Sequence, residues 1–96
     1  MGEIRQTSEY IKWRRRLRDS NAKARVDAQT LRLASGNLGD VKPVGEGVPE
    51  LRIHYGPGYR VYFVRRGSEL VILLAGGDKR TQQKDIETAI KLSKGL

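Results

Sequence analysis

The chain lacks cysteine altogether, which excludes disulfide staples, thiolate nucleophiles and thiolate metal sites. It has one histidine, so a paired-histidine ribonuclease and a histidine-rich metal site are excluded as well. Aromatic residues are few, at 6%. Negative charge is also in short supply, with eleven Asp and Glu against nineteen Lys and Arg. No apolar run approaches the ~18 residues of a membrane span, and the N-terminus shows no leader-like segment. The expectation is therefore a cytoplasmic protein with no membrane partner. No carboxylate pair stands at a recognisable catalytic spacing, and no glycine-rich loop matches a phosphate-binding motif. A metal site and a cofactor are not expected.

What is present is a chain of 96 residues, the size of a single domain over 1–96, with a net charge of +8. Hydrophobic residues make up 38%, enough for one modest core. The excess positive charge suits a polyanion: nucleic acid, an acidic protein or an anionic surface. An ordinary basic domain with no such partner would show the same composition.

The first third of the chain reads as a strand and two helices. Glu3 to Gln6 suits a short strand, and Thr7 or Ser8 can cap a helix beginning near Glu9. Tyr10, Trp13 and Leu17 form its apolar stripe. Asp19-Ser20-Asn21 can cap a second helix over 22–34, with Ala24, Ala28 and Leu31 on one face and Val26 and Leu33 beside it. Gly36 suits its left-handed stop.

The rest reads as strands, at 41–44, 50–55, 59–65 and 69–75. A last helix follows, capped at Thr81 and carrying Ile86, Ala89 and Ile90 as an apolar stripe. The order βααββββα predicts an α+β fold, with an N-terminal strand and helical hairpin packed on a curved antiparallel sheet and a short C-terminal helix.

With Gly56-Pro57-Gly58 as the whole turn, Tyr55 faces Tyr59, His54 faces Arg60, Arg52 faces Tyr62 and Leu51 faces Phe63. One face then carries Leu51, Ile53, Val61 and Phe63, and the other Arg52, His54, Arg60 and Tyr62. A two-residue Gly67-Ser68 turn places Ile72 beside Phe63 and Leu74 beside Val61, on the apolar face. Adjacent like charges on a sheet are unfavourable, and a phosphate backbone would neutralise them. A solvated sheet face would also tolerate them.

Such a surface can cut RNA with few protein groups. The 2′-hydroxyl is the nucleophile, so the protein must align it, help remove its proton and stabilise the phosphate charge. Arginine and lysine suit the last task. His54 can exchange a proton near neutral pH, and Tyr62 can orient or donate. Lys79 and Arg80 emerge where the last strand ends and can reach the same place.

The segments Glu50-Leu51-Arg52, Gly56-Pro57-Gly58-Tyr59-Arg60-Val61-Tyr62-Phe63 and Gly76-Gly77-Asp78-Lys79, together with Gly36 to Val44, resemble the HigB-like, addiction-module killer branch of the RelE/ParE toxins. The resemblance spans nearly the whole chain. It implies the toxin of a type II toxin–antitoxin system, with a cognate antitoxin of helix-turn-helix type. It implies a metal-independent endoribonuclease that cuts messenger RNA on the ribosome, leaves a cyclic phosphate and so stops translation. By this likeness Arg60 stabilises phosphate, Lys79 or Arg80 supplies the basic position after the last strand, and Arg52 and His54 fall where relatives hold basic residues. Arg80, Arg65 and Lys42 are the expected further RNA contacts. The relatives' C-terminal catalytic tyrosine has no counterpart after Tyr62, which leaves His54 as the candidate general base. A ParE-type toxin, inhibiting DNA gyrase by protein binding without cutting RNA, is the alternative. A phage-derived remnant without toxicity is the third reading.

Overall fold

The computed structural model describes residues 2–96. It is an α+β fold with five strands and three α-helices: β1 (Glu3–Gln6), α1 (Ser8–Arg16), α2 (Ser20–Ala34), β2 (Val41–Pro43), β3 (Pro49–Ile53), β4 (Tyr59–Arg66), β5 (Leu70–Gly77) and α3 (Gln82–Lys94). A 3-10 turn over Lys79–Thr81 leads into α3. The strand order is β1-β5-β4-β3-β2. The sheet is mixed rather than antiparallel, because β1 pairs parallel to β5. The helical hairpin between β1 and the rest of the sheet returns the chain to the far edge, and this long connection permits the parallel pairing.

Local chemistry explains the helix boundaries. Thr7 caps α1, its Oγ accepting from the Tyr10 amide at 3.1 Å, and the same hydroxyl donates to the Leu74 carbonyl. Asp19 caps α2 by accepting from the amides of Asn21 and Ala22. The buried stripe of α2 is Ala22, Val26, Thr30 and Leu33. The expected stripe through Leu31 is corrected, since Leu31 is 67% exposed. Burying the larger Val26 and Leu33 removes more apolar area than burying Ala24 and Ala28, which decides the rotation of the helix.

Two cores lie on opposite faces of the sheet. Under α1 and α2 sit Tyr10, Val26, Leu33, Leu51, Ile53, Val61, Phe63, Val71 and Leu73, with Trp13 and Leu17 packed against them. Under α3 sit Val48, Tyr62, Val64, Leu74, Ala75 and Ala89.

The segregation of Leu51, Ile53, Val61 and Phe63 onto one face holds, but the pairing differs. Leu51 faces Val61, Arg52 faces Arg60 and Ile53 faces Tyr59. Moving each partner by two positions preserves the faces, while residues 54–58 become a longer loop. In the second hairpin the turn takes three residues, so Arg66 faces Leu70 and Phe63 faces Leu73. That one-residue change corrects Ile72 and Leu74, which move to the α3 face. A bulge at Tyr62/Phe63 then makes Leu74 an extra residue, and Val61 and Arg60 pair with Gly76 and Gly77.

Candidate functional site: a cleft built on a shared carboxylate

The cleft lies at the end of the β3–β4 hairpin. It has a volume of about 390 Å³ and is walled by Arg52, His54, the 55–59 loop, Arg60 and Lys79. The turn at its rim needs two residues with positive φ, and Gly56 and Gly58 supply them at 57° and 82°. A side chain on Gly58 would press on the aliphatic stem of Lys79, so the glycine lets Lys79 lie against the loop.

Arg52 and Arg60 sit directly opposite each other on neighbouring strands. Like charges in that position repel, and Glu50 compensates both. Its side chain is fully buried. It accepts from Arg52 Nε at 3.2 Å, Tyr62 Oη at 2.9 Å and Gln82 Nε2 at 2.9 Å, and its Oε2 lies 3.4 Å from Arg60 Nε. Burial pushes the Glu50 carboxyl up. The hydrogen bonds from Gln82, Tyr62 and Arg52 and the charge of Arg60 outweigh it and hold the group below the usual carboxylate range. One anion thus supports two cations, and Lys79 adds a third on the open side.

Arg60 is 9% exposed and donates from one terminal nitrogen to the Gly58 carbonyl at 3.1 Å. Its Nε–H is buried and makes no hydrogen bond among the described residues. That nitrogen is sealed against Glu50 Oε2, so the ion pair fixes the guanidinium in the wall of the cleft.

His54 stands at the rim with its side chain 75% exposed, and its Nε2 lies 2.5 Å from Asp40 Oδ2. A carboxylate accepts, which assigns the proton to Nε2 and leaves Nδ1 of the neutral ring as the acceptor.

The structure therefore brings together Arg52, His54, Arg60 and Lys79 among the expected site residues. Tyr62 is corrected: it is fully buried under α3, its hydroxyl donates to Glu50, and burial followed by that bond pushes its pKa far up. A substrate cannot touch it. Arg65 is also corrected, because it lies five residues along β4 from Arg60, roughly 16 Å, and donates to the Leu33 carbonyl of α2 at 2.8 Å. Arg80 turns onto Asp78, donating to it at 3.3 and 2.9 Å, and does not wall the cleft. Lys42 faces Glu50 from the edge strand β2 and is likewise outside the lining. Glu50 and Gln82 escaped the sequence reading. The signal for Glu50 was its strand parity with Arg52, within an otherwise apolar run from Val48 to Leu51.

The model of the family described as "Phage derived protein Gp49-like (DUF891)" matches residues 16–94 of this chain. The chain belongs to the Gp49-like family. A protein of Haemophilus influenzae described as uncharacterised is 47% identical over 94 residues, covering 98% of this chain and 95% of its own length. No solved structure matches. The Gp49-like family is distinct, and no RelE, ParE or HigB family model matches, so the resemblance drawn from the short motifs is corrected. Those motifs have local structural causes that do not identify a family. Gly56 and Gly58 serve the turn, while side chains on Gly76 and Gly77 would fall on the Trp13 ring and the Asp85 carboxylate.

No helix of the described residues is long and apolar enough to cross a membrane. Nor do three or more His, Asp or Glu side chains among those residues converge as metal ligands would.

Proposed function

We propose that this Gp49-like protein is an endoribonuclease that inhibits translation by cutting messenger RNA, in the manner of a toxin held in check by an acidic antitoxin. The observation that carries the reading is Arg60, a nearly buried guanidinium held by the Glu50 carboxylate, set opposite Arg52 and beside Lys79 in the cleft. Such a group suits a phosphate whose charge grows during reaction, because the donors are already in place.

The RNA supplies the nucleophile. The 2′-hydroxyl attacks the adjacent phosphorus as its proton leaves, the bond to the 5′-oxygen of the next nucleotide breaks as that oxygen takes a proton from water, and a 2′,3′-cyclic phosphate and a free 5′-hydroxyl form. Arg60 and Arg52 neutralise the non-bridging oxygens, Lys79 reaches the same phosphate from the loop side, and Nδ1 of His54 takes the proton. Asp40 holds the ring in the tautomer that makes Nδ1 the acceptor. Glu50 touches no substrate, and it positions the two arginines. The gyrase-binding alternative rested on the resemblance and on no residue of the cleft.

The test is induction of the protein in growing cells, with transcript ends mapped alongside growth. Arg60→Ala, shown to be folded by circular dichroism, is expected to lose both growth arrest and transcript cleavage. Full toxicity in that variant would make the assignment wrong.

A further inference from the structure

A second groove adjoins the cleft. It has a volume of about 420 Å³ and runs between α2 and the β2–β3 side of the sheet. The two depressions share Arg52, Ile53 and His54 as a common wall. On the α2 side the lining includes Arg25 and Arg32, seven residues apart and hence on one face of the helix, about 10 Å from each other. Both are exposed. Neither pairs with a carboxylate among the described residues. Asp40 is the acid in this lining, and it is engaged by His54.

Arg25 is also held in place. Its guanidinium lies 4.6 Å over the Tyr55 ring, and the Tyr55 hydroxyl donates to Asp19 at 2.8 Å, pinning that ring to the start of α2. A cation stacked on a fixed aromatic loses less side-chain freedom on binding than a loose one. The reactive cleft therefore opens sideways into a basic track.

We infer that this track binds the single-stranded RNA flanking the scissile phosphate, with Arg25 and Arg32 each taking a backbone phosphate. The inference rests on the RNA-cutting reading for its ligand class but concerns residues that take no part in the chemistry. Phosphate contacts of this kind fix register and affinity without reading bases, so the track favours length over sequence.

The experiment uses the whole chain and its Arg25→Gln/Arg32→Gln double variant, checked for an unchanged melting temperature. The binding probe is a single-stranded 2′-deoxy oligonucleotide of about twelve nucleotides, which lacks the attacking hydroxyl, with a dinucleotide as the short control. Two lost phosphate contacts should reduce the salt slope by about 1.4 and the affinity for the long probe roughly 25-fold at 0.1 M salt. Dinucleotide binding should not change, and cleavage of saturating RNA should keep its rate while KM rises.

An unchanged salt slope would overturn the inference, as would equal losses on the long and short probes. Poly-glutamate binding as tightly as the oligonucleotide, with the same arginine dependence, would assign the track to an acidic protein instead. If the parent chain binds the long probe with this arginine dependence yet cleaves no RNA, the track stands and the nuclease reading falls. If it binds no single strand at all, both fall.

Discussion

The two faces of the sheet solve the burial problem differently. Under α1 and α2 the strands present Leu51, Ile53, Val61, Phe63, Val71 and Leu73, and no charged side chain belongs to that cluster. Under α3 the apolar layer stops at Tyr62, and the next positions along β3 and β4 are charged. Glu50 marks the boundary. It is sealed like a core residue, but its two arginine partners line the cleft. The contrast teaches that this protein keeps two adjacent arginines ordered by burying their shared counter-charge, and so spares them for a ligand. An exposed carboxylate would do this poorly, since surface ion pairs contribute little.

The largest way to break that contrast is Glu50→Ala. It leaves Arg60 buried without its anion and should destabilise the fold by about 3–5 kcal/mol, read from urea unfolding. The pH dependence follows from the same group. Its folded pKa is lowered, so its stabilising contribution is complete above the ordinary carboxylate range and fades as pH falls through the depressed value. Glu50→Gln should flatten this acid limb as pH falls below the ordinary carboxylate range. An unaltered limb would show that the carboxylate does not support the cations.

A smaller effect is expected from Tyr62→Phe. It removes a hydrogen bond to a buried carboxylate and should cost about 1.5–3 kcal/mol, with RNA cleavage retained at temperatures where the variant is folded. Loss of cleavage in folded protein would return Tyr62 to the reacting groups. The smallest stability change belongs to His54→Ala, at the exposed rim, within about 0.5 kcal/mol. In the proposed reaction this variant should lose cleavage rate while binding a deoxy oligonucleotide normally. Equal losses in both would make His54 a binding residue rather than a base.

Much of this contrast was legible beforehand. Alternation assigned Leu51, Ile53, Val61 and Phe63 to one core, and the cap at Thr7 and the stripe through Tyr10, Trp13 and Leu17 were correct. Convergence of Arg52, His54, Arg60 and Lys79 was legible too, because the hairpin carries three of them and the end of β5 the fourth. Three things were not. The second core needed the position of α3, which pattern alone does not supply, and so Tyr62 was assigned to the open face. The parallel pairing of β1 depends on a non-local contact with β5. The role of Glu50 needed the exact cross-strand partner of Arg52, and turn length decides that.

The bulge at Tyr62/Phe63 bears on that last point as a change of phase. Before it, odd-numbered residues of β5 face α1; after it, even-numbered ones do. Gly76 thereby meets Trp13, and Gly77 arrives beside Arg60 and Asp85, so each crowded spot receives the residue without a side chain. The strand is consequently sensitive to its length as well as its composition. A conservative exchange at Leu74 alters one contact. Insertion of one residue after Ala75 would exchange the two faces of everything that follows, drawing Gly76 away from the indole and Gly77 away from the guanidinium, whereas omission of Leu74 would only straighten the strand.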